Sequence, residues 1–289
     1  ERSALLVKLR TLQLSTSWGQ LTLSGATRAG DGTVLLLPQL RLALDTGRPH
    51  HALPPMSTVV VSHGHMDHIG GLGYWASQRF LNSMGTGTIV VPEAIVEDVD
   101  SLLELYARLE GGRPYDVRLV AADHDAVQPL RPDMELRFFR TDHWIPTLGS
   151  ELVWRKSRLR SDLVGLSERE IAALRRAGEE VSQRQDVSLL AYCADTGPGL
   201  LQRSTHLLLA EVLLVECSFF KPADRHRAER FGHMHVDDLA AVAPDLGCSH
   251  LVLLHGSRRH RLREIEEFLD ERLRPHLGCA MHHLMVDWE

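Results

Sequence analysis

The chain predicts an α/β protein: two mixed β-sheets packed face to face, helices covering the outer faces, and metal ions held at one rim. Three observations lead there. Apolar, β-branched segments alternate with amphipathic stretches along all 289 residues. Several of those strands end on a histidine or a carboxylate, and these strand ends come from both halves of the chain. No Pro/Gly-rich linker interrupts it, so residues 1–289 read as a single domain with a short insert at about 155–186.

Composition sets the outer bounds. At 44% hydrophobic the chain can build a sizeable core, and no run approaches the roughly 18 apolar residues of a membrane span. Glu1 to Lys8 do not read as a signal peptide, because charge returns before an apolar stretch develops. Four scattered cysteines, Cys193, Cys217, Cys248 and Cys279, form no Cys-x-x-Cys pair and fit a reducing, cytoplasmic setting. The net charge of −6 works against broad phosphate binding, although local patches rather than totals make such contacts.

In chain order, residues 3–25 alternate apolar and polar positions (Leu5, Val7, Leu9; Leu12, Leu14; Leu21, Leu23), the period of antiparallel strands. Strands follow at 34–37 and 40–44, turning at Pro38-Gln39, and Asp45 closes the second as a turn cap placed to support what comes next.

Next comes Val59-Val60-Val61-Ser62-His63-Gly64-His65-Met66-Asp67-His68-Ile69-Gly70-Gly71. A buried strand runs straight into three imidazoles and a carboxylate, the ligand types that suit zinc and similar divalent ions. In an extended turn His63 and His65 fall on one side, so one metal can take both. Asp67 and His68 lie further along the loop, suited to a second metal.

A helix is expected over 72–81, a strand at 88–92, an amphipathic helix over 93–109 closed by Gly111-Gly112, and strands at 115–120 and 136–141. His143 stands just past the last of these. A basic run from Arg155 to Arg160 precedes a helix whose Ser167 and Glu170 form a capping box. The strand 187–193 leads into Asp195, and the strand from Val212 carries Glu216 near its end. His233 and His235 open a helix, and His255 ends the strand from Leu251, followed by Ser257, Arg258 and Arg259. A surface helix at 265–273 and an edge strand at 281–286 complete the chain.

The phrase His63-x-His65-x-Asp67-His68, with His143 leading into Pro146-x-Leu148-Gly149, resembles the metallo-β-lactamase superfamily. The ribonuclease Z branch, which cuts the 3′ trailer from precursor tRNA, is the part it resembles, particularly the short plant-type forms, from about Leu35 to His260. The resemblance implies an αββα sandwich and two zinc ions, manganese or iron also suiting such ligands. It assigns His63, His65 and His143 to one metal, Asp67, His68 and His255 to the other, and Asp195 to a bridge. It implies Asp67 as the group that orients the attacking water, a Glu216–His235 pair as the acid that protonates the leaving oxygen, and Ser257, Arg258 and Arg259 as substrate contacts. Precursor tRNA as partner and a homodimer are implied with it. His233 is not expected to be a ligand. Three departures accompany the match: Ala194 where glycine is usual, His260 in place of an aromatic, and Ser15–Gln20 unlike the usual substrate loop.

An alternative stays open on the same metals, a hydrolase of a small-molecule ester, lactone, thioester or cyclic phosphodiester. The negative charge and the short interval of 52 positions from His143 to Asp195 favour it. The Glu216–His235 pair and Ser257/Arg259 favour RNA.

Overall fold

The computed structural model describes residues 8–287, so the start of the expected alternation, Leu5 and Val7, lies outside the described residues. The first sheet runs β1 (Arg10–Thr16), β2 (Gly19–Arg28), β3 (Gly32–Leu37), β4 (Leu42–Thr46), β5 (Thr58–Val60), β6 (Gly87–Pro92) and β7 (Val117–Ala122), in that spatial order. The second holds β8 (Val127–Arg131), β9 (Met134–Arg140), β10 (Leu148–Leu159), β11 (Ser182–Tyr192), β12 (Val212–Glu216), β13 (His250–Leu254) and β14 (Ala280–His283), again in sequential order. Each sheet is half antiparallel and half parallel. β1 to β4 pair antiparallel and β4 to β7 parallel; β8 to β11 pair antiparallel and β11 to β14 parallel.

Side-chain alternation builds the layers. Leu35 and Leu37 of β3 and Val212 and Leu214 of β12 enter the core between the sheets. Their neighbours Val34, Leu36, Leu213 and Val215 face outward instead, and both outward faces are apolar, so each needs a cover of helices. After the one-turn α1 (Met66–Ile69), α2 (Leu72–Leu81) and α3 (Val96–Leu109) supply it on the first sheet through Leu72, Trp75, Val99 and Leu103. α4 (Glu168–Arg176) stands apart with no buried residue. α5 (Gly199–Arg203), α6 (Arg225–Phe231), α7 (Val236–Val242) and α8 (Leu262–Arg272) follow, and Leu200, Val236, Leu239, Ile265 and Leu269 among them cover the second sheet. This is the αββα sandwich expected from the strand-end pattern.

Several boundaries differ from expectation for local reasons. β7 begins at Val117 rather than at 115, because Tyr115 packs into the first sheet's outer core and its hydroxyl donates to Glu110. β8 was not expected at all: it carries Pro129 and sits at the sheet's edge, where a missing N–H is tolerated. The basic run at 155–160 belongs mostly to β10, which with β11 continues as a hairpin to Leu159 opposite Ser182, the tip carrying α4 and the expected Ser167–Glu170 capping box. Among the described residues no helix is long and apolar enough to cross a membrane.

Candidate metal centre

The carboxyl ends of the parallel strands meet at one rim, the usual place for ligands in such sheets. β4 carries Asp45 as its last residue but one, β5 runs into Ser62 and His63, β11 into Asp195, and β13 into His255. Asp45, Ala194 and His255 all have left-handed backbone, with φ of 59°, 50° and 59°. That conformation is costly for residues with a Cβ, and such strain collects at functional turns. It explains why glycine suits position 194; here the alanine methyl instead packs in the inter-sheet core.

The metal loop is part extended and part helical. His65 is the extended residue before α1, and Asp67 and His68 lie within that single turn. His63 and His65 do face one another, Nε2 to Nδ1 at 3.0 Å, and His143 Nε2 comes within 3.4 Å of the same His65 nitrogen. On the other side His68 Nε2 and His255 Nε2 are 3.4 Å apart, and Asp67 Oδ2 lies 3.3 Å from His255 Nε2. Asp195 stands between: Oδ1 is 3.4 Å from His68 Nε2, while Oδ2 is 3.4 Å from His255 Nε2 and 3.8 Å from His63 Nε2.

These spacings fit metal ions. Donors held about 2.0–2.1 Å from a tetrahedral zinc lie about 3.4 Å from one another. The atoms of His63, His65, His143 and Asp195 lie within 4.8 Å of one another, and so do those of Asp67, His68 and His255.

Partners on the far side of the rings fix which nitrogen faces inward. His68 Nδ1 is 2.7 Å from Asp45 Oδ2, His63 Nδ1 is 2.9 Å from Ser62 Oγ, His143 Nδ1 is 3.2 Å from the Gly232 carbonyl, and His255 Nδ1 is 3.0 Å from Ser218 Oγ. With Nδ1–H so engaged, Nε2 of each ring keeps its lone pair for a ligand. Asp45 is the hub of this support. Wholly buried, it also accepts from the Ser62 N–H at 2.7 Å, the Ser62 hydroxyl at 2.8 Å and the Tyr192 hydroxyl. The sequence pointed to Asp45 but not to Ser62, Ser218 or Tyr192, whose roles come from distant strands.

Electrostatics follow the crowding. Burial, with His68 close by, pushes the His63 imidazole well below its ordinary value. Burial opposes charge on Asp67 as well, but the His255 hydrogen bond and the nearby His68 outweigh it and hold the carboxyl well below the usual range. Burial works against protonation of His68, and Asp195 and Asp45 overcome it.

The acid pair differs from expectation. Glu216 Oε1 lies 2.7 Å from Nδ1 of His233, not against His235. The same carboxylate accepts from the Thr196 N–H at 2.8 Å and from the Ser218 hydroxyl, so its oxygens are spent on orientation. His235 is the residue before α7. Its Nδ1 accepts from the Asp237 N–H at 3.2 Å, its Nε2 faces the Lys221 carbonyl at 3.0 Å, and the ring is wholly buried. Asp238 three residues on completes a capping box, the local signal that marks His235 as a cap. His233, two residues earlier, lies among the candidate donors, its ring 5.0 Å from His143 and 5.3 Å from His255. Burial would lower its pKa, but Glu216 raises it to about 9.

The expected substrate contacts sit on the turn after β13. Ser257 Oγ accepts from the Arg259 N–H at 3.3 Å, and Arg258 pairs with Asp31 at 2.9 Å. Gly30, next to Asp31, donates its N–H to Asp67 at 2.6 Å, which ties that turn to the metal loop.

Three overlapping groups of imidazole and carboxylate donors at the rim of an αββα sandwich, the third made of Asp195, Glu216, His233 and His255, define a metal-dependent hydrolase, and the chain belongs to the β-lactamase superfamily, whose domain model matches residues 31–256. Within it the chain falls in the tRNase Z family: it is 31% identical over 248 residues to a tRNase Z of Arabidopsis thaliana, an alignment spanning 85% of this chain and 88% of that one. Human tRNase Z, short form, shares the fold at a TM-score of 0.54 and 15% identity, over 88% of this chain and 94% of that one. Zinc-bound PqqB from Methylobacterium extorquens shares it at 0.55 and 15%, over 89% and 96%.

Proposed function

We propose that this chain is a dinuclear phosphodiesterase of ribonuclease Z type that removes the 3′ trailer of precursor tRNA, with zinc as its resident metal. The observation that carries this reading is the Glu216–His233 pair set beside two clusters of metal-type donors. An RNA 3′ oxygen is a poor leaving group and needs a proton as it departs, which activated esters and lactones do not.

His63, His65 and His143 would hold one metal, Asp67, His68 and His255 the other, with Asp195 shared. When bound, the metals supply Lewis acidity that activates water and offsets charge on the phosphoryl oxygens. The chain's own groups do the rest. Asp67, ionised at neutral pH, orients the attacking water for in-line approach to phosphorus. His233 carries a proton on the nitrogen not used by Glu216 and delivers it to the 3′ oxygen as the P–O bond breaks. The products are a 3′-hydroxyl on the tRNA and a 5′-phosphate on the trailer. Ser257, Arg258 and Arg259 border this site as candidate phosphate contacts.

The same reading includes a homodimer, checked by light scattering, and a reducing cytoplasm, in keeping with four free cysteines. A small-molecule hydrolase remains the second reading, favoured by the net charge of −6. Cleavage of a 3′-extended precursor tRNA, run beside bis-p-nitrophenyl phosphate, separates the two. A single cut after the discriminator base supports the first; diester hydrolysis with no RNA cut supports the second.

A further inference from the structure

Beside the metal centre lies a cavity of about 570 Å³ whose walls include Glu93, Asp123, Arg140, His143 and Trp144. Trp144 is its unusual member. Among the described tryptophans Trp75 is buried, and Trp18 and Trp154 pack against the inter-sheet core, whereas Trp144 is 66% exposed. Tryptophan is highly buried on average, so an indole held in water calls for a reason. Its ring centroid lies 5.2 Å from that of His65 and 6.1 Å from that of His143, two rings of the ligand set.

The loop that carries it is pinned. Thr141 donates its N–H to the Thr147 carbonyl at 3.2 Å and its hydroxyl to the Asp195 carbonyl at 2.8 Å. Asp142 pairs with Arg203, and its N–H donates to Thr196 Oγ1 at 3.0 Å. Pro146 restricts the backbone of Ile145 before it. The indole is therefore presented from a braced loop, with little ordering left to do on binding.

The cavity's charge selects what enters. Arg140 is committed to Asp123 through two nitrogens, Nε at 2.8 Å and Nη2. With that cation neutralised and Glu93 exposed, the walls repel phosphate and offer acceptors to N–H and O–H donors. A nucleobase meets both conditions: a flat π face for the indole and donors on its edge for the Glu93 carboxylate.

We propose that Trp144 is a base-stacking position, and that the cavity beside it seats the nucleobase of one nucleotide flanking the scissile phosphate. This rests on the RNA reading given above and adds to it the group that sets the register of the cut. Stacking of a base on an aromatic side chain contributes roughly 1–3 kcal/mol, on the order of a five- to hundredfold effect.

The test crosses Trp144→Ala with abasic substitutions at each nucleotide flanking the cut, reading kcat/KM for precursor tRNA by the metal-loaded protein. On intact RNA, Trp144→Ala loses tenfold or more and Trp144→Phe regains most of it. An abasic residue at one flanking position costs the wild-type protein a similar factor, and there Trp144→Ala loses nothing further. Losses that multiply at both positions, or a Trp144→Ala protein that cuts as wild type does, overturn the stack while leaving the RNA reading intact. A wild-type protein that cuts no RNA overturns the RNA reading and the stack with it.

Discussion

Nδ1 of His233 lies 2.7 Å from Oε1 of Glu216, and under the proposed mechanism that contact makes His233, rather than its neighbour His235, the candidate acid. His233→Ala should lower turnover on precursor tRNA at least a hundredfold with the metal content unchanged, the usual scale for loss of a general acid. His235→Ala should instead lower stability by roughly 1–3 kcal/mol, since it unpairs the Lys221 carbonyl and removes a helix cap. Parallel kcat and thermal-unfolding measurements on the two variants check this. A turnover loss confined to His235→Ala would return the acid to that residue.

Glu216→Gln tests the same pair through pH. The carboxylate favours the imidazolium, so removing its charge lowers the His233 pKa from its raised value. The protonated acid is then lost at a lower pH, and the alkaline limb of the kcat profile moves down, by about one unit or more on that principle. A limb that stays in place in Glu216→Gln would mean that another group sets it.

Much of this site was legible in the sequence, and the error within it has a clear origin. His63 through His68 could be read because their spacing alone brings four donors to one loop. Asp195 and His255 could be read because each closes an apolar strand. His233 and His235 could not be separated by periodicity, since residues two apart in extended chain face the same way. What separates them is the start of α7, where Asp238 closes a capping box on His235. Ser62, Ser218 and Tyr192 gave no signal, because a hydroxyl that braces a ligand gains that role only from strands brought together by folding. Within the insert, two cations of the basic run are already paired, Arg155 with Glu135 and Arg160 with Asp162, which composition alone does not show.

That pairing makes a prediction about the insert. Lys156 and Arg158 form no ion pair among the described residues; Lys156 lies over the Trp154 ring at 4.9 Å. If this hairpin touches RNA phosphates, replacing both with alanine should weaken precursor binding and reduce the slope of log K against log salt by about 1–2. A binding isotherm series over salt concentration gives the slope directly. An unchanged slope would leave the hairpin as a solvated face.

Asp195→Ala bears on the metals themselves. Its two oxygens reach His68, His255 and His63, members of both donor sets, so its loss should release at least one ion. Metal analysis after gel filtration should show the content falling from two per chain to one or fewer, with activity lost alongside. Two ions retained through dilution would remove Asp195 as a bridge.

Asp45 tests whether the support around the ligands matters as much as the ligands. It contributes no atom to either donor set, yet it holds His68 at 2.7 Å and reaches His63 through Ser62. Asp45→Ala strands a buried Tyr192 hydroxyl and the Ser62 N–H, and a cost of roughly 3–5 kcal/mol is expected for breaking so buried a charged network. Metal affinity should fall about 10- to 100-fold, the range typical of lost outer partners of ligating histidines. Tyr192→Phe removes only one donor and leaves the His68 contact in place, so its stability should fall by roughly 1–2 kcal/mol with metal affinity nearly intact. Competitive metal titration and thermal unfolding of the two variants side by side therefore separate bracing of the ligands from general packing. Equal losses of affinity in both would place the effect in packing.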